Sequence, residues 1–153
     1  MTIWQFLHIA SMFGAVSLFV GQGMLSAGIA RTGDVRAIRR TLAVEARFGP
    51  VGGALFLLGI VFGFVTALTG GWDLTAPWLL IAYVLAAVVL ATGIAFHGPR
   101  GRKLQALAEA SPENEPSEAL RALIDAPSAR VVSVLDGLLW LALIYVMVAK
   151  PFS

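Results

Sequence analysis

Cysteine is absent from the chain, which removes a disulfide framework, thiolate metal sites and thiol chemistry together. Charge is nearly as scarce: Lys, Arg, Asp and Glu make up 13% of the 153 residues, about half the share of an average soluble protein. Histidine occurs only as His8 and His97. There is no glycine-rich phosphate loop, no zinc-ligand spacing, no G-x-S-x-G elbow and no carboxylate pair. Hydrolase and transferase chemistry therefore has no residues to stand on. No catalytic residue or metal-ligand set is assigned, and the reading leans away from an enzyme. A pI near 9.5 raises the question of nucleic acid, but the basic residues form no stripe on a polar helix and accompany no recognition motif, so no nucleic-acid partner is expected. The N-terminus lacks the positive n-region of a secretory signal, and its apolar run is too long for an h-region, so it is expected to be retained.

What the chain has instead is long apolar runs, with 58% hydrophobic residues and a mean hydropathy of +0.84. The clearest is Pro77 to Phe96, PWLLIAYVLAAVVLATGIAF, twenty residues without a charge. At helical rise this stretch reaches about 30 Å, the thickness of a bilayer's hydrocarbon core. Three further segments have the same character, giving expected spans at about 3–29, 50–69, 77–97 and 131–149, with connecting loops at 30–49 and 98–130. The implied fold is an all-α, four-span antiparallel bundle forming a single integral membrane domain whose immediate partner is the lipid bilayer.

The connectors carry their own signals. Pro50 is expected to open the second span, preceded by a short interfacial helix around Val35, Ile38 and Leu42. Gly70 to Ala76 reads as a tight reversal that makes spans two and three antiparallel neighbours. The long polar segment contains two amphipathic stretches around SPENEPS, the second with Ser117 as its N-cap, expected against the membrane surface or the bundle ends. Gly52, Gly59, Gly63 and Ala67 fall on one face of span two, and Gly59 to Gly63 is a G-x-x-x-G. Small residues in line admit a neighbouring helix, which is expected to come from the chain itself; a homo-oligomer or another membrane protein is the alternative.

Ionisable groups inside spans are costly, so each needs a reason. Asp136 lies about 7 Å inside span four. It shares the arginine-rich side of the bundle with His97 at the end of span three, Gln22 in span one and Arg47 just before span two. These four form an expected polar cluster, with Asp136 either the partner of Arg47 or His97 or, with His97, a proton site of a transporter. His8, about 7 Å inside span one from the other side, is either hydrogen-bonded to Gln5 or a loop carbonyl or a ligand to haem b or copper, with Met12 and Met147 at the same end.

Three stretches, FLHIA opening span one, LTGGWDLTAPW between spans two and three, and IYVMVAKP closing the chain, resemble an uncharacterised domain-of-unknown-function family of small bacterial four-helix integral membrane proteins. The resemblance implies the bundle but no activity. The L-H pair at His8 and the H-x-x-x-G-R from His97 to Arg102 are also similar to membrane haem proteins of protoporphyrinogen oxidation and to copper-resistance membrane domains, which implies His8 as a ligand. The expected role is a structural or accessory subunit of the bacterial cytoplasmic membrane.

Ten of the eleven Lys and Arg residues fall in the 30–49 and 98–130 segments, leaving only Lys150. By the positive-inside rule those segments face the cytoplasm, and both termini face out. An alkaline phosphatase fused after Ser153 is therefore expected to be active and one fused at Pro116 inactive. The reverse pattern would overturn the orientation.

Overall fold

The computed structural model describes residues 1–152; Ser153, expected on the outer face, lies outside the described residues. The chain is all-helical, without a strand among the described residues. Four helical stretches are long and apolar enough to cross a membrane: Ile3–Thr32, Val35–Thr69, Pro77–Ala110 and Glu118–Ala149. The first comprises α1 (Ile3–Val16), a π-helical turn (Ser17–Gly21) and α2 (Gln22–Thr32). Thr2 and Gln5 start it with a reciprocal capping box: Gln5 N–H donates to Thr2 Oγ1 at 3.3 Å, and Thr2 N–H to Gln5 Oε1 at 2.8 Å. Gly33 ends it at φ 73°, a left-handed conformation that suits glycine.

The 30–49 segment is not the loop that the sequence implies. Only Gly33 and Asp34 separate α2 from α3, a single 35-residue helix from Val35 to Thr69. Asp34 caps it, its Oδ1 accepting from Ala37 N–H at 3.0 Å. Pro50 therefore lies inside the helix and does not open it. Proline removes one ladder bond and crowds the carbonyl four residues back, but packing on both sides holds the rod together, as is common in membrane helices. On the N-terminal side Ile38 and Leu42 are buried; on the other, Gly52 and Phe56 are.

The third span likewise continues past its expected end. α4 (Pro77–Thr92) passes through a second π-helical turn, Gly93–His97, into α5 (Gly98–Ala110). The turn between α3 and α4 is as short as expected, with Gly71 at φ 67°. Asp73 Oδ1 accepts from Thr75 N–H at 2.8 Å and from Thr75 Oγ1 at 2.6 Å, bonds that hold its carboxyl below the usual carboxylate range. α6 (Glu118–Ile124) is capped by Ser117 as expected, and α7 (Pro127–Ala149) forms the fourth span.

Two cores result. In the membrane layer the closest helix pairs are α1 with α3 and α4 with α7. Between the pairs, the buried Trp140 meets Phe56 edge-on at 5.5 Å, and Phe64 stacks on Tyr83 at 5.2 Å. Phe13, Val84 and Leu141 point outward, where the hydrocarbon of a bilayer would cover them. Beyond the spans, Ile38 and Leu42 of α3 pack with Ala108 of α5 and the fully buried Leu120 of α6. The amphipathic stretches thus cover the end of the bundle. Arg39 secures this cap by donating to the carbonyls of Ala108 at 2.8 Å and Ser111 at 2.6 Å, at the C-terminus of α5.

Each glycine of the span-two face receives a side chain from span one. A Cβ on Gly52 would meet Phe19 at 3.2 Å, one on Gly59 would meet Met12 at 3.0 Å, and one on Gly63 would meet the His8 ring at 3.0 Å. The G-x-x-x-G is thus covered within the chain. Gly53, by contrast, has nothing within 4 Å of an added Cβ. Gly59→Leu and Gly63→Leu are expected to destabilise the protein by about 1 to 3 kcal/mol through overpacking. Gly53→Ala should leave stability unchanged or raise it. Thermal unfolding in detergent checks the contrast, and equal melting of all three variants would contradict it.

Candidate functional site

The antiparallel packing of α1 on α3 brings His8 against the backbone of the second span. Its Nδ1 lies 2.7 Å from the carbonyl oxygen of Gly59. A carbonyl only accepts, so Nδ1 carries a proton and donates, and Nε2 is the ring nitrogen without a partner among the described residues. The partner is neither Gln5, which closes the N-terminal capping box, nor a loop carbonyl, but a carbonyl of the neighbouring span. The glycine face makes this possible, since any side chain at Gly63 would occupy the volume of the imidazole. Met12 lies one turn along on the same face, over Gly59.

At the opposite end of the bundle, the packing of α7 on α4 brings Asp136 within reach of His97 in the π-helical turn that follows α4. His97 Nε2 donates directly to Asp136 Oδ2. The Asp136 side chain is 18% exposed and that of His97 45%, so the carboxylate is largely enclosed while the imidazole meets solvent. Of the two partners that the sequence offered Asp136, the structure selects His97.

Arg47 and Gln22 do not join them. Arg47 is exposed and Gln22 half-buried, and neither side chain makes a hydrogen bond or ion pair among the described residues. The unbroken α3 explains the first case. Arg47 is five residues from both Leu42 and Gly52, the buried positions on either side, and so points about 140° away from them. The expected four-residue cluster is a two-residue pair.

A third polar contact was not foreseen. Ser26 of α2 donates its hydroxyl to Glu45 of α3, which is half-buried. The available signal was that Glu45 continues the apolar stripe of Ile38 and Leu42 at helical spacing. Two further hydroxyls, Thr66 Oγ1 and Tyr83 Oη, are buried without a partner among the described residues. No three His, Cys, Asp or Glu side chains gather at a metal-binding distance among the described residues.

The end of the bundle opposite the arginines holds one more unforeseen contact. Lys150, which ends α7 in a left-handed conformation at φ 45°, places its Nζ 4.0 Å from the centroid of the Trp72 ring and 5.4 Å from that of Trp78. The two indoles meet edge-on at 5.6 Å. This cation–π contact ties the end of span four to the turn between spans two and three. Two sequence stretches far apart in the chain, LTGGWDLTAPW and IYVMVAKP, thereby meet.

Compared with protein-family models, curated proteins and solved structures, the chain matches none.

The His97–Asp136 contact is testable as a coupled pair. Breaking a buried ion pair costs about 3 to 5 kcal/mol and an exposed one about 0 to 1 kcal/mol, so Asp136→Asn in this half-enclosed site is expected to cost about 1 to 3 kcal/mol. Substituting His97→Gln in the same chain should recover part of that loss. Unfolding of both single variants and the double variant gives the coupling energy, and strict additivity would show that the two side chains do not interact.

Proposed function

We propose that the protein is a non-enzymatic membrane subunit, a compact four-span scaffold that supports or accompanies another membrane component in the bacterial cytoplasmic membrane. One observation carries this reading. Four ionisable side chains in or bordering the membrane layer are bonded from one helix to another: His8 to the Gly59 carbonyl, Glu45 to Ser26 and His97 to Asp136. An ionisable residue in a span points to transport or catalysis by default; one that joins two helices has a structural reason to be there.

A second reading, a haem or copper protein, draws on the tautomer of His8. A ligating histidine commonly donates one ring nitrogen to a carbonyl and presents the other to the metal, and His8 makes the first half of that arrangement. A macrocycle does not fit between spans one and two, where the His8 ring and Met12 already fill the glycine face. The third reading, a proton-coupled transporter, uses His97 and Asp136, which join spans three and four towards the arginine-rich end.

Purified protein separates the three. Reconstituted into liposomes holding a pH-sensitive dye, it is expected to add no proton flux over protein-free liposomes, and its absorbance spectrum is expected to lack a Soret band. Flux abolished by Asp136→Asn would replace the scaffold with a transporter. A Soret band abolished by His8→Ala would replace it with a haem protein.

A further inference from the structure

A groove of about 390 Å³ runs along the membrane-facing surface between spans one and four. Val16 and Val20 line one wall, Val134, Gly137 and Ile144 the other, and Trp140 the floor, with no polar side chain among its lining residues. Gly137 opens it further, having nothing within 4 Å of an added Cβ. Val134 and Ile144 are ten helical steps apart, or about 15 Å, which matches the depth of one hydrocarbon leaflet.

The groove has a charged end on one side only. Spans one and four are antiparallel, and Phe19 of the first lies 6.3 Å from Trp140 of the second, centroid to centroid. From that level Arg31 is twelve residues along span one and Arg130 ten residues back along span four. Both guanidinium-bearing positions therefore lie about 15 to 18 Å from the Phe19–Trp140 contact, towards the same end. Arg130 is also four residues before Val134 and so shares its helix face.

Of the nine arginines on this side, Arg31 and Arg130 are the two carried by α2 and α7, the arginine-rich ends of the spans that wall the groove. Arg36 and Arg121 pair with Glu113 and Glu115. Arg39 and Arg100 are held by helix-end carbonyls of α5 and α6. Arg31 and Arg130 are exposed and without a hydrogen bond or ion pair among the described residues, as are Arg40, Arg47 and Arg102 on α3 and α5, away from the groove walls; the nearby Asp34 is engaged in capping α3.

We infer that this groove binds one anionic phospholipid from the leaflet next to the arginine-rich face, with an acyl chain along Val134 to Ile144 and the phosphate between Arg31 and Arg130. The apolar walls by themselves accept any acyl chain. The two cations supply the discrimination, because a zwitterionic headgroup offsets its own phosphate charge and an anionic one does not.

The test is native mass spectrometry of protein released from vesicles made of equal parts phosphatidylglycerol and phosphatidylcholine. Wild-type protein is expected to retain phosphatidylglycerol in preference to phosphatidylcholine. Arg31→Gln with Arg130→Gln should weaken that retention about ten- to thirty-fold. Gly137→Leu, which fills the groove, should reduce retention of both lipids. Arg40→Gln with Lys103→Gln removes the same charge elsewhere on that face and should change nothing. Glycerophosphoglycerol, the headgroup without acyl chains, should not bind. Four results would overturn the site: equal retention of the two lipids by wild type, equal loss in both charge pairs, binding of the free headgroup, or a dimer that Gly137→Leu dissociates.

Discussion

The rest of the bundle depends on how closely spans one and two approach. In a bilayer no hydrophobic force draws helices together, because lipid chains are as apolar as leucine; dispersion contacts and interhelical hydrogen bonds must do so. Gly52, Gly59 and Gly63 remove side chains from one face of α3, and Phe19, Met12 and His8 enter the space. The His8 bond to the Gly59 carbonyl then gives that interface a register. A shift of one residue would separate donor from acceptor and drive Met12 into a different turn. Such bonds contribute about 0.6 to 2 kcal/mol in membranes, so the packing around this one matters as much as the bond.

With that register set, α3 acts as the axis for two cores in different solvents. Its C-terminal part packs within the membrane layer around Phe56, and its N-terminal part carries the α5–α6 cap on Ile38 and Leu42. The arginines near the cap also hold the fold together. Arg39 and Arg100 place cations on the carbonyl ends of α5 and α6, where the helix dipoles favour positive charge. Arg36 reaches Glu113 in the loop before α6 and, by hydrogen bond and charge, holds that carboxyl below its ordinary range.

The polar contacts follow from the same geometry. One lies between spans one and two towards the end away from the arginines, one between the same helices near the arginine-rich end, and one between spans three and four. Each close helix pair thus has at least one side chain that fixes its partner. The pairs themselves meet through aromatic rings, Trp140 on Phe56 and Phe64 on Tyr83, which need no close backbone approach. Lys150 over Trp72 and Trp78 closes the end opposite the arginines across both pairs.

Four apolar spans, the glycine face of the second, the Ser117 cap and the segregation of charge were legible because each is a local property of composition or period. So was the existence of costly polar residues at His8, His97 and Asp136. What the sequence could not decide was rotation and partnership. Pro50 reads as a helix start because the penalty for proline inside a helix is local, while the packing of Ile38, Leu42, Gly52 and Phe56 that overrides it is not. Arg47 and His97 are equally plausible partners for Asp136 by depth. Only the unbroken α3 turns Arg47 outward, and only the packing of α7 on span three brings His97 to the carboxylate. Depth along a membrane normal is written in the chain at 1.5 Å per residue, but the direction in which a side chain points is fixed by which helices pack together, and that is a property of the assembled bundle.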